Sequence, residues 1–240
     1  MQYQKQVAAV FSLLVAQGTC QTPAGTAPIT DKHLNIAYGD TVVEASDLLP
    51  QALVQSAPNA WLSRTVSGDH MLLLVDQSIP QSSINSTGPQ APGLEYCRTT
   101  RLHWFQTDLN QLDNGCLVSE TAPIAMYGGP MPGINDIAHT YVFYLFAQPS
   151  NFSLDAATWD AGGKYDPISV YDRMNFSTFA ISAIPGVGHP IAANYMRVQN
   201  PDTTAYGTAP NGTCPLDSGL SSLTVNTTHT DTPYYHRSWY

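Results

Sequence analysis

Three polar side chains stand where buried strands should begin or end. Asp76 directly follows Leu72-Leu73-Leu74-Val75, His103 lies inside Leu102-His103-Trp104-Phe105, and His139 precedes Thr140-Tyr141-Val142-Phe143. A carboxylate at the end of an apolar strand needs a partner, because burying an unpaired charge is very costly. If the strands are neighbours, Asp76 can hold one or both imidazoles protonated. Two such histidines beside the Tyr141 hydroxyl would form a compact receptor for a phosphate or a carboxylate. Taken singly, each residue has a blander use: a histidine can be a satisfied core residue, and an aspartate at a strand end commonly forms a turn. The residues alone leave both readings open.

The elements that must position this group are mainly strands. Residues 41–43, 70–75, 102–107 and 140–146 are rich in β-branched and aromatic side chains and are bounded by turn formers. The unbroken run Met71-Leu72-Leu73-Leu74-Val75 is expected of a strand buried on both faces. Pro, Ser and Gly-rich stretches at 77–92, 127–133 and 161–167 separate the strands, and only 45–53 and 176–183 look helical. The pattern predicts a mainly β fold, a sandwich with a few short helices and long loops.

The chain has 240 residues, enough for one ordinary domain, and carries 9 Lys+Arg against 18 Asp+Glu for a net charge of −9. It has no basic cluster, which argues against nucleic acid and against a polybasic membrane anchor. Residues 1–18 read as a secretory signal: Lys5, an apolar run over 7–16, then Ala16-Gln17-Gly18. That run is too short to span a bilayer, which takes ~20 residues. Residues 19–33 form an N-terminal segment, 34–200 the domain, and 201–240 a Ser/Thr-rich extension. Five glycosylation sequons begin at Asn85, Asn151, Asn175, Asn211 and Asn226. Cys20, Cys97, Cys116 and Cys214 are an even set, expected to form two bridges in an extracellular or vacuolar compartment, with the pairing open. No cysteine spacing suggests zinc, and no cofactor is expected.

Four segments in order carry a family resemblance. Leu72-Leu73-Leu74-Val75-Asp76-Gln77-Ser78-Ile79-Pro80 resembles the strand and Asp-Pro-Asp-x-Pro loop of the phosphatidylethanolamine-binding protein family. Arg101-Leu102-His103-Trp104-Phe105-Gln106-Thr107-Asp108 is similar to that family's next strand, with its site histidine at His103. Tyr127-Gly128-Gly129-Pro130-Met131-Pro132-Gly133, followed by His139-Thr140-Tyr141, resembles the Tyr-x-Gly-Pro-x-Pro and His-Arg-Tyr segment. Gly188-His189-Pro190-Ile191-Ala192 is similar to a late strand motif.

The resemblance implies a β-sandwich with a pocket for a small anion or a phospholipid head group. Asp76, His103, His139 and Tyr141 would be its polar groups. Tyr127, Pro80 and the loop holding Gly129, Pro130 and Pro132 would form its rim, with backbone N–H groups offered to an oxyanion. Two departures stand out: Ser78 replaces the family's second Asp, and Thr140 its Arg. The expectation is that these two positions form an ion pair in the family and a neutral pair here, leaving Asp76 the pocket's only carboxylate. The resemblance also implies a second function, inhibition of a serine carboxypeptidase through surface segments. Catalysis is not expected, because the chain has no Gly-x-Ser-x-Gly elbow.

Overall fold

The computed structural model describes residues 20–80, 98–152, 173–174 and 176–204. Among them the strands are β1 (Asn35–Tyr38), β2 (Thr41–Val42), β3 (Asp47–Pro50), β4 (Asn59–Trp61), β5 (His70–Pro80), β6 (Arg98–Gln111), β7 (Leu117–Val118), β8 (His139–Ala147) and β9 (Ala192–Gln199). A 3-10 turn, Gln51–Val54, follows β3, and one short helix, α1 (Thr178–Ser182), precedes β9. The larger sheet runs β3-β9-β8-β5-β6-β7 and the smaller β2-β1-β4.

The unbroken apolar run in β5 is explained by burial on both faces. Leu72 and Leu74 enter a core shared with Ile36 and Tyr38 of β1, while Met71, Leu73 and Val75 enter a second core closed by Phe176 and Ile181. β8 repeats the arrangement: Tyr141, Phe143 and Leu145 point into the first core, and Val142, Tyr144 and Phe146 into the second. Each strand is therefore sandwiched, as its composition demands.

Two helical expectations change. Residues 45–53 hold a turn, strand β3 (Asp47–Pro50), paired in parallel with β9, and the start of the 3-10 turn. Ser46 sits at φ 78, and Pro50 has no N–H for a helical ladder, so a continuous helix cannot form there. The second helix is trimmed to Thr178–Ser182 because the Ser177 side chain caps it by accepting from Ala180 N. The segment before the domain packs onto it: Thr178 Oγ1 donates to the Ala27 carbonyl at 2.9 Å, and Gln21 and Thr22 are buried.

Among the described residues, Cys20 and Cys116 are free thiols, so no bridge joins these two. Asn151 is exposed in the turn after β8. The 1–18 leader, Asn85, Asn175, Asn211, Asn226, Cys97, Cys214 and most of the 201–240 extension lie outside the described residues. No helix among the described residues is long and apolar enough to cross a membrane.

Candidate functional site

Strand periodicity and one irregularity bring the predicted polar groups together. Asp76 shares the face of Leu72 and Leu74, and His139 that of Tyr141 and Phe143, so both look toward the first core. In the sheet register Asp76 lies opposite Tyr141 on one side and Arg101 on the other. His103 arrives by a bulge: Leu74 pairs with Trp104 but Val75 pairs with Leu102, so His103 is an extra residue in β6. A bulge of this kind re-aims a side chain. It lets Leu102 keep to the second core while Trp104 packs against the first. Asp76, His103, His139 and Tyr141 are at most 3% exposed.

Asp76 Oδ1 accepts from Ser78 N at 2.7 Å, and Oδ2 from His139 Nδ1 at 2.8 Å. The other nitrogen of His139, Nε2, meets Asp136 Oδ2 at 2.9 Å. With both nitrogens donating to carboxylates, the ring is an imidazolium. Burial alone would lower its pKa, but the bonds and charges of Asp76 and Asp136 outweigh burial and raise it above the usual 6.5. Asp136 in turn takes both terminal nitrogens of Arg98, at 2.5 and 3.2 Å. Burial pulls the Asp136 carboxyl upward, yet Arg98, His139 and Ile137 N together bring it down to about 2.

His103 corrects an expectation. Its Nδ1 donates to the Gly128 carbonyl at 2.8 Å, and Gly128 N donates back to the His103 carbonyl at 2.7 Å. Its Nε2 is buried without a partner among the described residues, 4.0 Å from Asp76 Oδ2. Burial pushes the ring down to about 4, against the pull of Asp76 and Gly128 and with the help of Arg101 and Arg173. Asp76 therefore keeps one imidazole charged and not two, because at 4.0 Å it cannot offset the lost hydration of His103. The Tyr141 ring meets His103 edge-on at 5.2 Å and lies nearly parallel to His139 at 6.3 Å. Burial, then Asp76, raises the Tyr141 hydroxyl pKa, so it stays protonated.

Ser78 and Thr140 do form a neutral pair: Thr140 N donates to Ser78 Oγ at 2.9 Å. Asp76 is not the only carboxylate, however. Asp136 is a second one, and its ion pair with Arg98 ties the 133–138 turn to β6, while Arg98 also donates to the Ser78 carbonyl. Tyr127 is committed elsewhere: its hydroxyl donates to the Val54 carbonyl at 2.8 Å and meets the Tyr38 hydroxyl at 2.9 Å. Burial raises the Tyr127 hydroxyl to about 12. Pro80 ends β5 in register with Arg98.

The 127–133 loop is poorer in free donors than expected. Gly128 N is spent on His103, and Pro130 and Pro132 have no N–H. Its carbonyls act as acceptors, Pro130 O from Gln55 Nε2 at 3.0 Å and Pro132 O from Asn200 Nδ2 at 2.9 Å. Gly129 is required by close approach: a Cβ there would lie 2.6 Å from Gln55 Oε1 and 3.0 Å from Gln55 Cα. Gly129→Ala should destabilise the fold by about 1–3 kcal/mol through overpacking. Chemical denaturation would check this, and an unchanged midpoint would contradict it.

Four residues of the site carry no role in the sequence analysis. Asp136 lies three residues before His139, a spacing that means nothing outside a helix. Arg98 and Arg101 are seen to matter only once β6 is in register with β5. Arg173 reaches the site because its backbone carbonyl pairs with Leu102 N and its guanidinium donates to Met126 O at 2.7 Å. A separate polar cleft of about 450 Å³, lined by Trp61, Arg64, Gln111 and Asn114 among others, lies at the other end of β6. It does not include the Asp76 group.

Residues 71–187 match the family model described as phosphatidylethanolamine-binding protein. Phomoidride biosynthesis cluster protein N of Talaromyces stipitatus is 27% identical over 208 residues, covering 78% of this chain and 96% of that protein. CEN-like protein 1 of Nicotiana tabacum is 25% identical over 169 residues, covering 69% of this chain and 80% of that one. Among solved structures, carboxypeptidase Y inhibitor in complex with its cognate proteinase shares the fold. That match has a TM-score of 0.51 at 17% identity, covering 72% of this chain and 85% of the inhibitor.

Proposed function

Because the chain belongs to the phosphatidylethanolamine-binding protein family, we propose that the Asp76–His139 group is a receptor for a small anion or a phospholipid head group, acting by binding and without turnover. The observation that carries this reading is a buried imidazolium, His139, whose Asp136 partner is shared with Arg98, next to a His103 on which Arg101 and Arg173 act. Three guanidinium groups and one imidazolium outnumber the two carboxylates, so the site favours negative charge. Arg101 adds a buried Nε with no partner among the described residues, a donor that an oxyanion would satisfy. Tyr141 supplies a neutral hydroxyl to the same face.

The test is calorimetric titration with acetate, whose charge stays constant above about pH 6, so that any pH effect belongs to the protein. Affinity should hold near pH 6 and fall as pH rises through the raised pKa of His139, where the cation is lost. Affinity unchanged up to about pH 10, or no saturable binding at all, would overturn the reading.

A second reading, inhibition of a serine carboxypeptidase, is favoured by the fold shared with carboxypeptidase Y inhibitor. Inhibition assays against such an enzyme decide it, since the Asp76 pocket makes no prediction about that activity. We place the protein in an exported compartment on the strength of the apolar run over 7–16 and the sequons, of which Asn151 is exposed.

A further inference from the structure

Two of the cationic donors of the site, His139 Nε2 and Arg98, are already engaged by one of the chain's own carboxylates. Asp136 accepts from His139 Nε2 through Oδ2 and from both terminal nitrogens of Arg98. These are the donors an entering oxyanion would seek, because the remaining nitrogen of His139 is held by Asp76. Asp136 does not belong to the packed sheet. It sits on a turn in which Asp136 N donates to Gly133 O at 3.2 Å, Asn135 adopts φ 64, and Ile134 is 61% exposed. Besides its ion pairs, that turn is held by Gln199 Nε2, at the end of β9, donating to Asp136 O, and by Asn135 N donating to Thr203 Oγ1.

We propose that Asp136 is a built-in competitor for the site: a phosphate oxyanion gains His139 Nε2 and Arg98 only by displacing the Asp136 carboxylate, with the 133–138 turn swinging outward. This rests on the anion-receptor reading and adds its regulation. The chemistry is that of a small tetrahedral oxyanion, shared by free phosphate and by a phospholipid head group. While the turn is closed, the binding-competent fraction is small, and apparent affinity falls by that fraction. Asp136 thus sets the threshold an external anion must exceed.

The experiment compares the full chain with Asp136→Asn, which keeps the shape and removes the charge, by titration with inorganic phosphate and with glycerophosphoethanolamine. It is run near pH 5.5, below the ordinary histidine range, so that losing one carboxylate does not discharge His139. The variant should bind at least about tenfold more tightly than the native chain. A larger gain for glycerophosphoethanolamine identifies the head group as the natural source, and a larger gain for phosphate identifies the free ion. Measurable but equal affinity in both proteins, or weaker binding by the variant, overturns the competitor role and leaves the receptor reading standing. Binding by neither protein overturns the receptor reading itself. If Asp136→Asn fails to melt cooperatively, Asp136→Ser repeats the comparison with a smaller neutral side chain.

Discussion

Asp76→Asn is expected to cost about 3–5 kcal/mol of folding stability, because it removes one partner of a buried ion pair and leaves the other charged. Asp76 has no exposed surface, and its two oxygens hold Ser78 N and His139 Nδ1. An amide at this position keeps the volume but loses the charge, and in either orientation its NH2 faces a donor, Ser78 N or His139 Nδ1. His139 would then have Asp136 alone, and its pKa would fall. Urea denaturation near pH 6.5 measures the effect. A double replacement, Asp76→Leu with His139→Leu, should cost less than the two single changes added together, since it strands no charge. A loss below about 1 kcal/mol for Asp76→Asn would mean that the pair is not the buried, ionised contact described above.

The second large effect concerns pH, and it comes from the histidine that stays neutral. His103 has a folded pKa of about 4 against an ordinary 6.5. The unfolded chain therefore binds this proton before the folded one does, and stability falls as pH drops from about 6.5 to about 4. Below that it loses nothing more from this group. A depression of that size corresponds to about 3 kcal/mol. His70 is also held below its ordinary value by burial and adds to the same slope. The difference between the native chain and His103→Gln isolates the share of His103.

His139 has the opposite sign. Its pKa is raised, so its contribution is complete below 6.5 and is lost as pH rises through the raised value. Asp136, depressed to about 2, contributes fully above 3.8 and is lost only as pH falls toward 2. These windows do not overlap that of His103. In denaturation midpoints measured from pH 4 to pH 8, His103→Gln should flatten the acid limb and leave the alkaline limb unchanged. An acid limb of unaltered slope in the variant would refute the assignment of a neutral, desolvated His103.

How much of this was legible in the sequence depends on the range of the interaction. The two-sided burial of β5 and β8 was written in their apolar runs, and these runs located Asp76, His139 and Tyr141 at strand ends facing the first core. The Ser78–Thr140 contact followed from comparing two loops, since losing an acid and a base together is cheaper than losing either alone. The charge state of His103 was not legible. Composition shows an acid and two histidines, but only coordinates show that one ring lies at 2.8 Å and the other at 4.0 Å from the same oxygen. That distance decides whether pairing or desolvation wins. The bulge at His103 is a register effect and leaves no mark in the local pattern. Asp136 was hidden for a related reason: it is carried by a turn, and its partner Arg98 comes from β6, 38 positions earlier in the chain.

One buried histidine is a cation clamped by two aspartates, while its neighbour, across the same carboxylate, is uncharged. Nitrogen-15 correlation spectra of the imidazole rings, recorded as a function of pH, test it directly. Near pH 6.5 both nitrogens of His139 should carry protons, while His103 should show a protonated Nδ1 and a bare Nε2. His139 should remain doubly protonated above that pH, and His103 should take its second proton only near pH 4. Two rings titrating together near the ordinary histidine value, or a neutral His139 at pH 6.5, would contradict the account.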